Sequence, residues 1–157
     1  MKVLMVCLGN ICRSPLAEGI LQHKARKAGL DLTVDSAGTA AYHVGEPPDS
    51  RSREIASKHG IDISRQRARQ LKAVDLKDFD RIYAMDVNNF QDILAYAKGP
   101  EEVKKVDMIM NAAFPGKNLP VPDPYYGGQN GFEHVFQMLD ESCSKIIESI
   151  RSESNSP

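Results

Sequence analysis

The alternation of hydrophobic and polar positions along the chain predicts a regular succession of strands and helices. Short apolar runs place four strands at 3–6, 32–34, 79–85 and 106–110. Apolar residues repeating every three to four positions place the main helices at 15–28, 50–58, 88–97 and 132–151. Because strands and helices alternate, the strands are expected to run parallel. The pattern therefore predicts an α/β fold, a single-domain open twisted four-stranded parallel sheet with helices on both faces.

Composition and charge fit a globular protein of one domain. The chain has 157 residues, of which 41% are hydrophobic and 26% charged, and its net charge of −1 gives no reason to expect a nucleic-acid or membrane partner. No apolar stretch approaches the roughly 20 residues that span a bilayer. Three cysteines fit a reducing cytoplasm better than a secreted disulfide framework. We expect a domain over residues 1–151 and a disordered polar tail over 152–157.

The segment between the first strand and the first helix combines features that bind anions. The strand ends at Cys7, and Ser14 is expected to cap the helix. Loop 7–13 would then lie at a helix N-terminus, where unpaired amides and the helix dipole attract an anion. Gly9 and Asn10 are best suited to the left-handed conformations that turn successive amides inward.

Two side chains of this loop add chemistry to the predicted anion site. Arg13 carries a planar fork that suits two oxygens of a phosphate. A helix N-terminus and a neighbouring cation favour a thiolate, so we expect Cys7 to be ionised at neutral pH and to attack phosphorus. The alternative is a packing role, since cysteines are often buried. Neither of the glycine-rich nucleotide-binding motifs is present.

The order of these residues resembles the phosphate loop of the low-molecular-weight protein tyrosine phosphatases. The resemblance covers nearly the whole chain, through Cys7-Leu-Gly-Asn-Ile-Cys-Arg-Ser-Pro, Asp35-Ser-Ala-Gly, Ala84-Met-Asp86 and Asp123-Pro-Tyr-Tyr-Gly. It implies a Rossmann-like fold of the phosphotyrosine phosphatase I type. It also implies hydrolysis of phosphotyrosine and aryl phosphate monoesters through a phosphocysteine intermediate, with acid-phosphatase-like activity and without a cofactor.

The resemblance assigns the catalytic roles. Cys7 is the nucleophile, Arg13 binds phosphate and Asp123 is the general acid and base. Ser14 donates a hydrogen bond to the Cys7 sulfur. Prolines on both sides of Asp123 predict a stiff, extended segment. Nothing in the spacing brings that segment to Cys7; only the resemblance does.

Further positions are assigned to binding and support. Phosphate or substrate is expected to contact Leu8, Gly9, Asn10, Ile11, Cys12, Tyr42, Tyr125 and Tyr126. Ser36, through a hydrogen bond to Asn10, and Asp86 are expected to support the loop. From the residues alone, Ser36 is equally a turn serine, Tyr42 an exposed loop tyrosine and Asp86 a helix N-cap.

The aromatic residues favour tyrosine-phosphorylated proteins as partners, with phosphate or other oxyanions in the loop. Ile11 agrees with this, because related phosphoarginine phosphatases tend to carry threonine there. Many relatives have histidine where this chain has Gln66, which puts a loop-bracing hydrogen bond from that position in doubt. The basic segment 61–71 is interpreted as a solvated face. A monomer or weak self-association is expected.

Two other functions stay open at this point. Arsenate reductases share the fold but need a cysteine pair after the third strand, where this chain has none, and Cys143 on a helix stripe is a poor substitute. The chain could also be a phosphotyrosine-binding module without catalysis. Cys12 is either a small buried residue or a partner that forms a disulfide with Cys7 and protects it from irreversible oxidation. The histidines lack metal-ligand spacing, so no metal is predicted.

Overall fold

The structure, a computed structural model, describes residues 1–124 and 129–154, without the side chains of residues 129 and 154. Within these ranges the strands are β1 (Lys2–Cys7), β2 (Thr33–Gly38), β3 (Arg81–Ala84) and β4 (Val106–Met108). They form one parallel sheet in the order β2-β1-β3-β4. The predicted four-stranded parallel α/β fold is confirmed.

The helices connect these strands as the alternating pattern predicts. They are α1 (Arg13–Lys27), α2 (Ser50–Lys58), α3 (Asp75–Asp78), α4 (Val87–Leu94), α5 (Pro100–Val103) and α6 (Gln129–Ser154), with a 3₁₀ turn at Ile109–Asn111. The single-turn helices α3 and α5 carry too few apolar positions to show a periodic stripe, and the sequence pattern misses them.

The central strand β1 divides the core into two layers. Val3 and Met5 pack with residues of α1, α2 and α6 on one face of the sheet. Leu4 and Val6 point to the opposite face, where they pack with residues of α3 and α4. All four side chains are fully buried, as expected for a strand covered on both faces. Cys7 continues the first series, so its side chain lies on the α1 side of the sheet, at the carboxyl end of β1.

Several predicted helix boundaries differ from those observed. Helix α4 ends at Leu94, three residues before the predicted end at 97. Helix α1 begins at Arg13, so Ser14 lies inside the first turn; the N-cap is Cys12, whose side chain makes no capping bond. The prediction that Ser14 caps the helix is therefore wrong, because the Ser14 hydroxyl is hydrogen-bonded to Asn10 and Cys7 instead. Helix α6 extends three residues beyond the predicted bounds at each end, to Gln129 and Ser154. The rest of the predicted tail, 155–157, lies outside the described residues.

No helix in the described part of the chain is long and apolar enough to cross a membrane.

Candidate active site

The loop that joins β1 to α1 folds tightly over the end of the sheet. Asn10 has the left-handed conformation predicted for it, with a φ of 57°. Gly9 does not have a positive φ, which corrects that expectation; a Cβ on Gly9 would lie 3.1 Å from the His43 ring. Gly38 at the end of β2 allows the loop to pass, because a Cβ there would lie 2.8 Å from the carbonyl oxygen of Leu8.

Within the described part of the chain, the loop carries several unpaired hydrogen-bond donors. The main-chain amides of Gly9, Ile11 and Cys12 donate no hydrogen bond to the described residues. The amide of Asn10 donates to the sulfur of Cys7 at 3.3 Å. Unpaired amides at a helix N-terminus bind anions, and an amide directed at a sulfur stabilises its thiolate.

The Cys7 side chain is 3% exposed and lies 3.0 Å from the Ser14 hydroxyl. That hydroxyl also accepts a hydrogen bond of 2.8 Å from the side-chain amide of Asn10. Because the amide nitrogen occupies one lone pair of the oxygen, the Ser14 proton is available to the sulfur. The contact expected between Ser14 and Cys7 is present.

The Asn10 side chain is fixed by three hydrogen bonds. Its oxygen accepts from the main-chain amide of Arg69 at 3.0 Å, and its nitrogen donates to Ser14 and to the hydroxyl of Ser36 at 2.9 Å. A main-chain N–H only donates, so the bond from Arg69 decides which end of the amide faces the serines. Asn10 is 3% exposed and braces the loop from behind.

The guanidinium of Arg13 is held at the opposite side of the loop. Its Nη1 donates to the carboxylate of Asp86 and to the main-chain carbonyl of Val121, both at 2.9 Å. Within residues 1–124 and 129–154, its Nε and Nη2 have no hydrogen-bond acceptor. The arginine is thus oriented on one side and retains donors for an anion on the other.

Asp86 serves both purposes that the sequence left open. One carboxylate oxygen pairs with Arg13, and the other accepts from the main-chain amide of Asn89 at 2.8 Å as the N-cap of α4. The same residue therefore fixes the start of a helix and the position of the arginine.

A cavity of about 120 Å³ opens directly above the thiol. Its walls bring together most of the predicted site, from the loop and from two distant segments: Cys7, Leu8, Gly9, Ile11, Cys12, Arg13, Tyr42, His43 and Asp123. Asp123 is exposed, and Tyr42 is 79% exposed on the rim. The predicted Tyr125 and Tyr126 lie outside the described residues.

The two cysteines of the loop have different environments. Burial, followed by the negative charges of Asp49, Cys7 and Asp123, raises the pKa of the Cys12 thiol to about 12. Cys12 therefore stays protonated at neutral pH, in contrast to the thiolate expected at Cys7.

Residues that sequence reasoning missed hold the network in place. Val121 is fully buried between two prolines, and its amide donates to Met85 at 2.8 Å. Arg69, predicted to lie on a solvated face, forms ion pairs of 3.0 Å with Asp35 and Asp75. The position of Val121, a single apolar residue between two prolines, could have indicated that it is buried. Nothing in the sequence distinguishes Arg69 from its basic neighbours.

Gln66 contacts the first turn of α1, next to the loop. Its Nε2 donates to the carbonyl oxygen of Pro15 at 3.1 Å, in the first turn of α1. Behind the same turn, the Ser36 hydroxyl donates to Glu18 at 2.7 Å. Burial raises the pKa of the Glu18 carboxyl to about 7, against the smaller opposing effect of the Ser36 hydrogen bond.

Among the described residues, no group of three or more histidine, cysteine, aspartate or glutamate side chains could hold a metal ion. Cys143 is fully buried in α6, and its thiol faces the carbonyl oxygen of Ala17 at 3.8 Å.

Comparison with known proteins agrees with this geometry. The model of the low molecular weight phosphotyrosine protein phosphatase family matches residues 2–156. A low molecular weight phosphotyrosine protein phosphatase of Schizosaccharomyces pombe is 43% identical over 152 residues, which cover 95% of this chain and 96% of the relative.

Solved structures show the same likeness. A protein tyrosine phosphatase from Entamoeba histolytica, with HEPES in its active site, has a TM-score of 0.91 and 36% identity, covering 98% of this chain and 99% of that one. The Drosophila arginine phosphatase has a TM-score of 0.88 and 34% identity, covering 96% and 98%.

The fold and the relatives together define the protein as a phosphatase. Because the family model and the relatives span nearly its whole length, the chain belongs to the low molecular weight phosphotyrosine protein phosphatase family.

Proposed function

We propose that this enzyme hydrolyses phosphotyrosine in proteins, and aryl phosphate monoesters in general, through a phosphocysteine intermediate on Cys7. The observation that carries the proposal is the placement of the Cys7 sulfur. It receives the Asn10 amide and lies beside the Ser14 hydroxyl, at the floor of a cavity that Arg13 and Asp123 also line.

In the first step, the Cys7 thiolate attacks phosphorus in line and the bond to the phenolic oxygen breaks. The free donors of Arg13 and the loop amides hold the other phosphate oxygens as charge develops on them. Asp123, protonated at this stage, gives its proton to the leaving phenolate. The products are phosphocysteine, a phenol and an Asp123 carboxylate.

In the second step, water attacks the phosphocysteine. The Asp123 carboxylate takes a proton from that water, the sulfur–phosphorus bond breaks and Cys7 leaves as a thiolate. The Ser14 hydroxyl, 3.0 Å from the sulfur, stabilises the departing thiolate with a hydrogen bond. Inorganic phosphate then leaves the loop and regenerates the enzyme.

The depth of the site supports an aromatic phosphate ester. The thiol is 3% exposed, so the phosphate must reach the cavity floor, and a phenyl ring gives phosphotyrosine more reach than the shorter phosphoserine has. Leu8, Ile11 and Tyr42 supply apolar surface at the walls and rim. Asp86 and Ser36 act as loop supports.

Phosphoarginine is a second candidate substrate, because the Drosophila relative is named an arginine phosphatase. Ile11 lines the cavity and offers no hydrogen bond to a guanidinium. We therefore expect kcat/KM for phosphotyrosine peptides to exceed that for matched phosphoarginine peptides, and a reversed order would reassign the substrate.

Arsenate reduction has less support. It would need further cysteines to pass a disulfide along, but Cys143 is buried in the core. Burial also raises the pKa of its thiol far above neutrality, and Cys143 does not line the cavity above Cys7 as Cys12 does.

The proposal extends to the setting of the enzyme. All three cysteines are free thiols, which supports a reducing compartment such as the cytoplasm. The partners are tyrosine-phosphorylated proteins, and we propose a monomer or a weakly self-associating protein.

The test is turnover of an aryl phosphate by wild type, Cys7→Ser and Asp123→Ala, with rapid trapping of phosphoenzyme. We expect phosphate on Cys7, no turnover by Cys7→Ser and a loss of about 10²- to 10³-fold for Asp123→Ala. Cys143→Ala and Asp92→Ala are the matched controls, since Asp92 lines a neighbouring cavity together with Asp123. Stoichiometric binding of phosphotyrosine without turnover by reduced wild type would establish the binding module instead.

A further inference from the structure

A continuous chain of hydrogen bonds leads from the active-site sulfur to the partly buried carboxyl group of Glu18 in α1. It runs from Cys7 to Ser14 at 3.0 Å and to Asn10 at 2.8 Å. From Asn10 it continues to Ser36 at 2.9 Å and ends at Glu18 at 2.7 Å. Three of its members, Ser14, Asn10 and Ser36, are at most 4% exposed.

The direction of each hydrogen bond is determined by chemistry. The Arg69 amide fixes the Asn10 oxygen, so the Asn10 nitrogen donates to both serines. Ser36 accepts from Asn10 and therefore has its own proton to give, and the Glu18 carboxylate is its acceptor. A protonated Glu18 would be a weaker acceptor and would add a competing donor at the same oxygen.

Charged side chains of both signs surround Glu18. Arg69 is the cation that acts on it, but Arg69 is already paired with Asp35 and Asp75. Glu18 also lines a cavity of about 330 Å³ behind the active site. The charged and titratable groups around it are Asp35, Arg69, His23, Arg26, Asp62 and Arg65.

We propose that Glu18 is a positioning residue of the phosphatase reaction, whose carboxylate acts through Ser36 and Asn10 to hold the Ser14 proton on the Cys7 sulfur. The inference rests on the proposed function and adds a residue that touches neither substrate nor thiol. Its consequence is a dependence of phosphocysteine hydrolysis on the ionisation of Glu18, because Cys7 leaves as a thiolate in that step.

A direct effect of charge would have the opposite sign. A Glu18 carboxylate acting only through space would repel the departing thiolate and slow the step as pH rises. A carboxylate acting through the hydrogen-bond chain would accelerate it. The sign of the pH dependence therefore separates the two.

The experiment measures the rate of phosphocysteine hydrolysis in wild type and in Glu18→Gln from pH 5 to 9. At each pH the wild-type rate is divided by the rate of Glu18→Gln. Since burial places the pKa of Glu18 at about 7, we expect the ratio to be near one below pH 6. It should rise to about 3- to 10-fold above pH 8, the net worth of one ordinary hydrogen bond.

Two variants control the measurement. Asp62→Asn removes a carboxylate from the same cavity without touching the chain of hydrogen bonds. The wild-type hydrolysis rate divided by the rate of Asp62→Asn should therefore not rise above pH 8. Ser36→Ala breaks the chain between Asn10 and Glu18. In that background, replacement of Glu18 should no longer produce a pH-dependent ratio.

A second readout does not need phosphatase turnover. A hydrogen-bonded thiolate is a weaker nucleophile, so iodoacetamide should alkylate Cys7 roughly 2-fold more slowly in wild type than in Glu18→Gln above pH 8.

If wild type hydrolyses the ester and neither the ratio of hydrolysis rates nor the ratio of alkylation rates changes with pH, Glu18 has no positioning role. A hydrolysis ratio that falls with pH would assign Glu18 a through-space effect. If wild type does not hydrolyse the ester, the proposed function fails and the alkylation ratio still decides on Glu18.

Discussion

The guanidinium of Arg13 donates a hydrogen bond of 2.9 Å to the carbonyl oxygen of Val121, 108 positions further along the chain. The amide of Val121 in turn donates to Met85 at the end of β3. Two residues beyond Val121, Asp123 lines the cavity above Cys7. Arg13 and Asp123, to which we assign phosphate binding and general acid catalysis, are thus linked by one short segment that is fixed to the sheet at its buried valine.

The Asp86 carboxylate is predicted to orient Arg13 for catalysis. Asp86→Asn keeps a capping residue for α4 but removes the charge that pairs with the guanidinium. We expect kcat/KM for an aryl phosphate to fall about 10-fold or more, because a hydrogen bond between charged groups is lost. The free energy of unfolding should change little.

Asp86→Ala separates the two roles of this residue. It removes the cap as well, so the free energy of unfolding should fall by about 1 kcal/mol, while activity falls as in Asp86→Asn. Denaturant unfolding and steady-state kinetics of both variants check this. Wild-type kinetics in Asp86→Asn would show that the ion pair does not contribute to catalysis.

The Ser14 hydroxyl is predicted to act in the second chemical step. Ser14→Ala removes the donor to the departing Cys7 thiolate, and phosphocysteine hydrolysis should slow by about 10- to 100-fold. Phosphoenzyme should then accumulate during steady-state turnover, which rapid acid quenching measures. Ser142→Ala is the matched control, since Ser142 is a fully buried serine whose hydroxyl contacts Met110. Equal phosphoenzyme levels in Ser14→Ala and wild type would contradict the role.

Local chemistry made part of this site predictable. The apolar run of β1 and the polar loop after it indicate a strand end at Cys7, and residues such as Asn10 favour the left-handed conformation that the loop contains. The apolar spacing of α6 likewise predicts a long buried stripe. Such features depend on neighbours within a few positions, so the sequence carries them directly.

Contacts between distant segments were not predictable in the same way. Ser14 has the residue type of an N-cap, but Asn10 and Cys7 compete for its hydroxyl and the helix starts two residues earlier than predicted. Arg69 lies in a segment with the composition of a solvated basic face, yet its guanidinium is paired with Asp35 and Asp75. In both cases a tertiary partner outweighs the local preference, and spacing contains no information about that partner.

Close packing under the loop predicts a sensitive position at Gly38. A Cβ in Gly38→Ala would lie 2.8 Å from the Leu8 carbonyl oxygen and 3.2 Å from the Asn10 Cβ, so the loop must shift. We expect the free energy of unfolding to fall by about 1–3 kcal/mol. Activity should fall because the amides and the Asn10 brace move with the loop. Unfolding and kinetics check the prediction; an active variant of wild-type stability would show that the loop accommodates the methyl group without cost.

The raised pKa of Glu18 predicts a pH-dependent effect on stability. The pKa is about 7 in the folded protein against 4.5 for an unburied glutamate, so the fold favours the protonated form. The associated stability is fully present below pH 4.5 and is lost as pH rises through 7. Relative to wild type, Glu18→Gln should therefore gain on the order of 2–3 kcal/mol of unfolding free energy between pH 4 and pH 8.

Asp62→Asn provides the control for this effect. Hydrogen bonds from Ser64 lower the pKa of Asp62 below the 3.8 of an unburied aspartate, so the stability effect of its removal changes at and below about pH 4. Between pH 4 and pH 8 the difference between Asp62→Asn and wild type should therefore stay nearly constant, unlike that of Glu18→Gln. Urea unfolding at a series of pH values measures both. If the difference between Glu18→Gln and wild type does not change between pH 4 and pH 8, Glu18 ionises as an exposed glutamate does.

The position of Cys7 and Cys12 on the wall of one cavity predicts a reversible response to oxidants. Peroxide oxidises the Cys7 thiolate to a sulfenic acid, and the Cys12 thiol on the same cavity then condenses with it, forming a disulfide and releasing water. Wild type treated with peroxide should recover its activity with dithiothreitol. Cys12→Ser lacks the second thiol, so its Cys7 should proceed to irreversible sulfinic acid, and the variant should recover less of its activity.

Activity after reduction and the mass of the peptide that contains Cys7 measure the outcome. Cys143→Ser is the control, because its sulfur is buried away from the cavity. If Cys12→Ser recovers as fully as wild type, Cys12 is a packing residue.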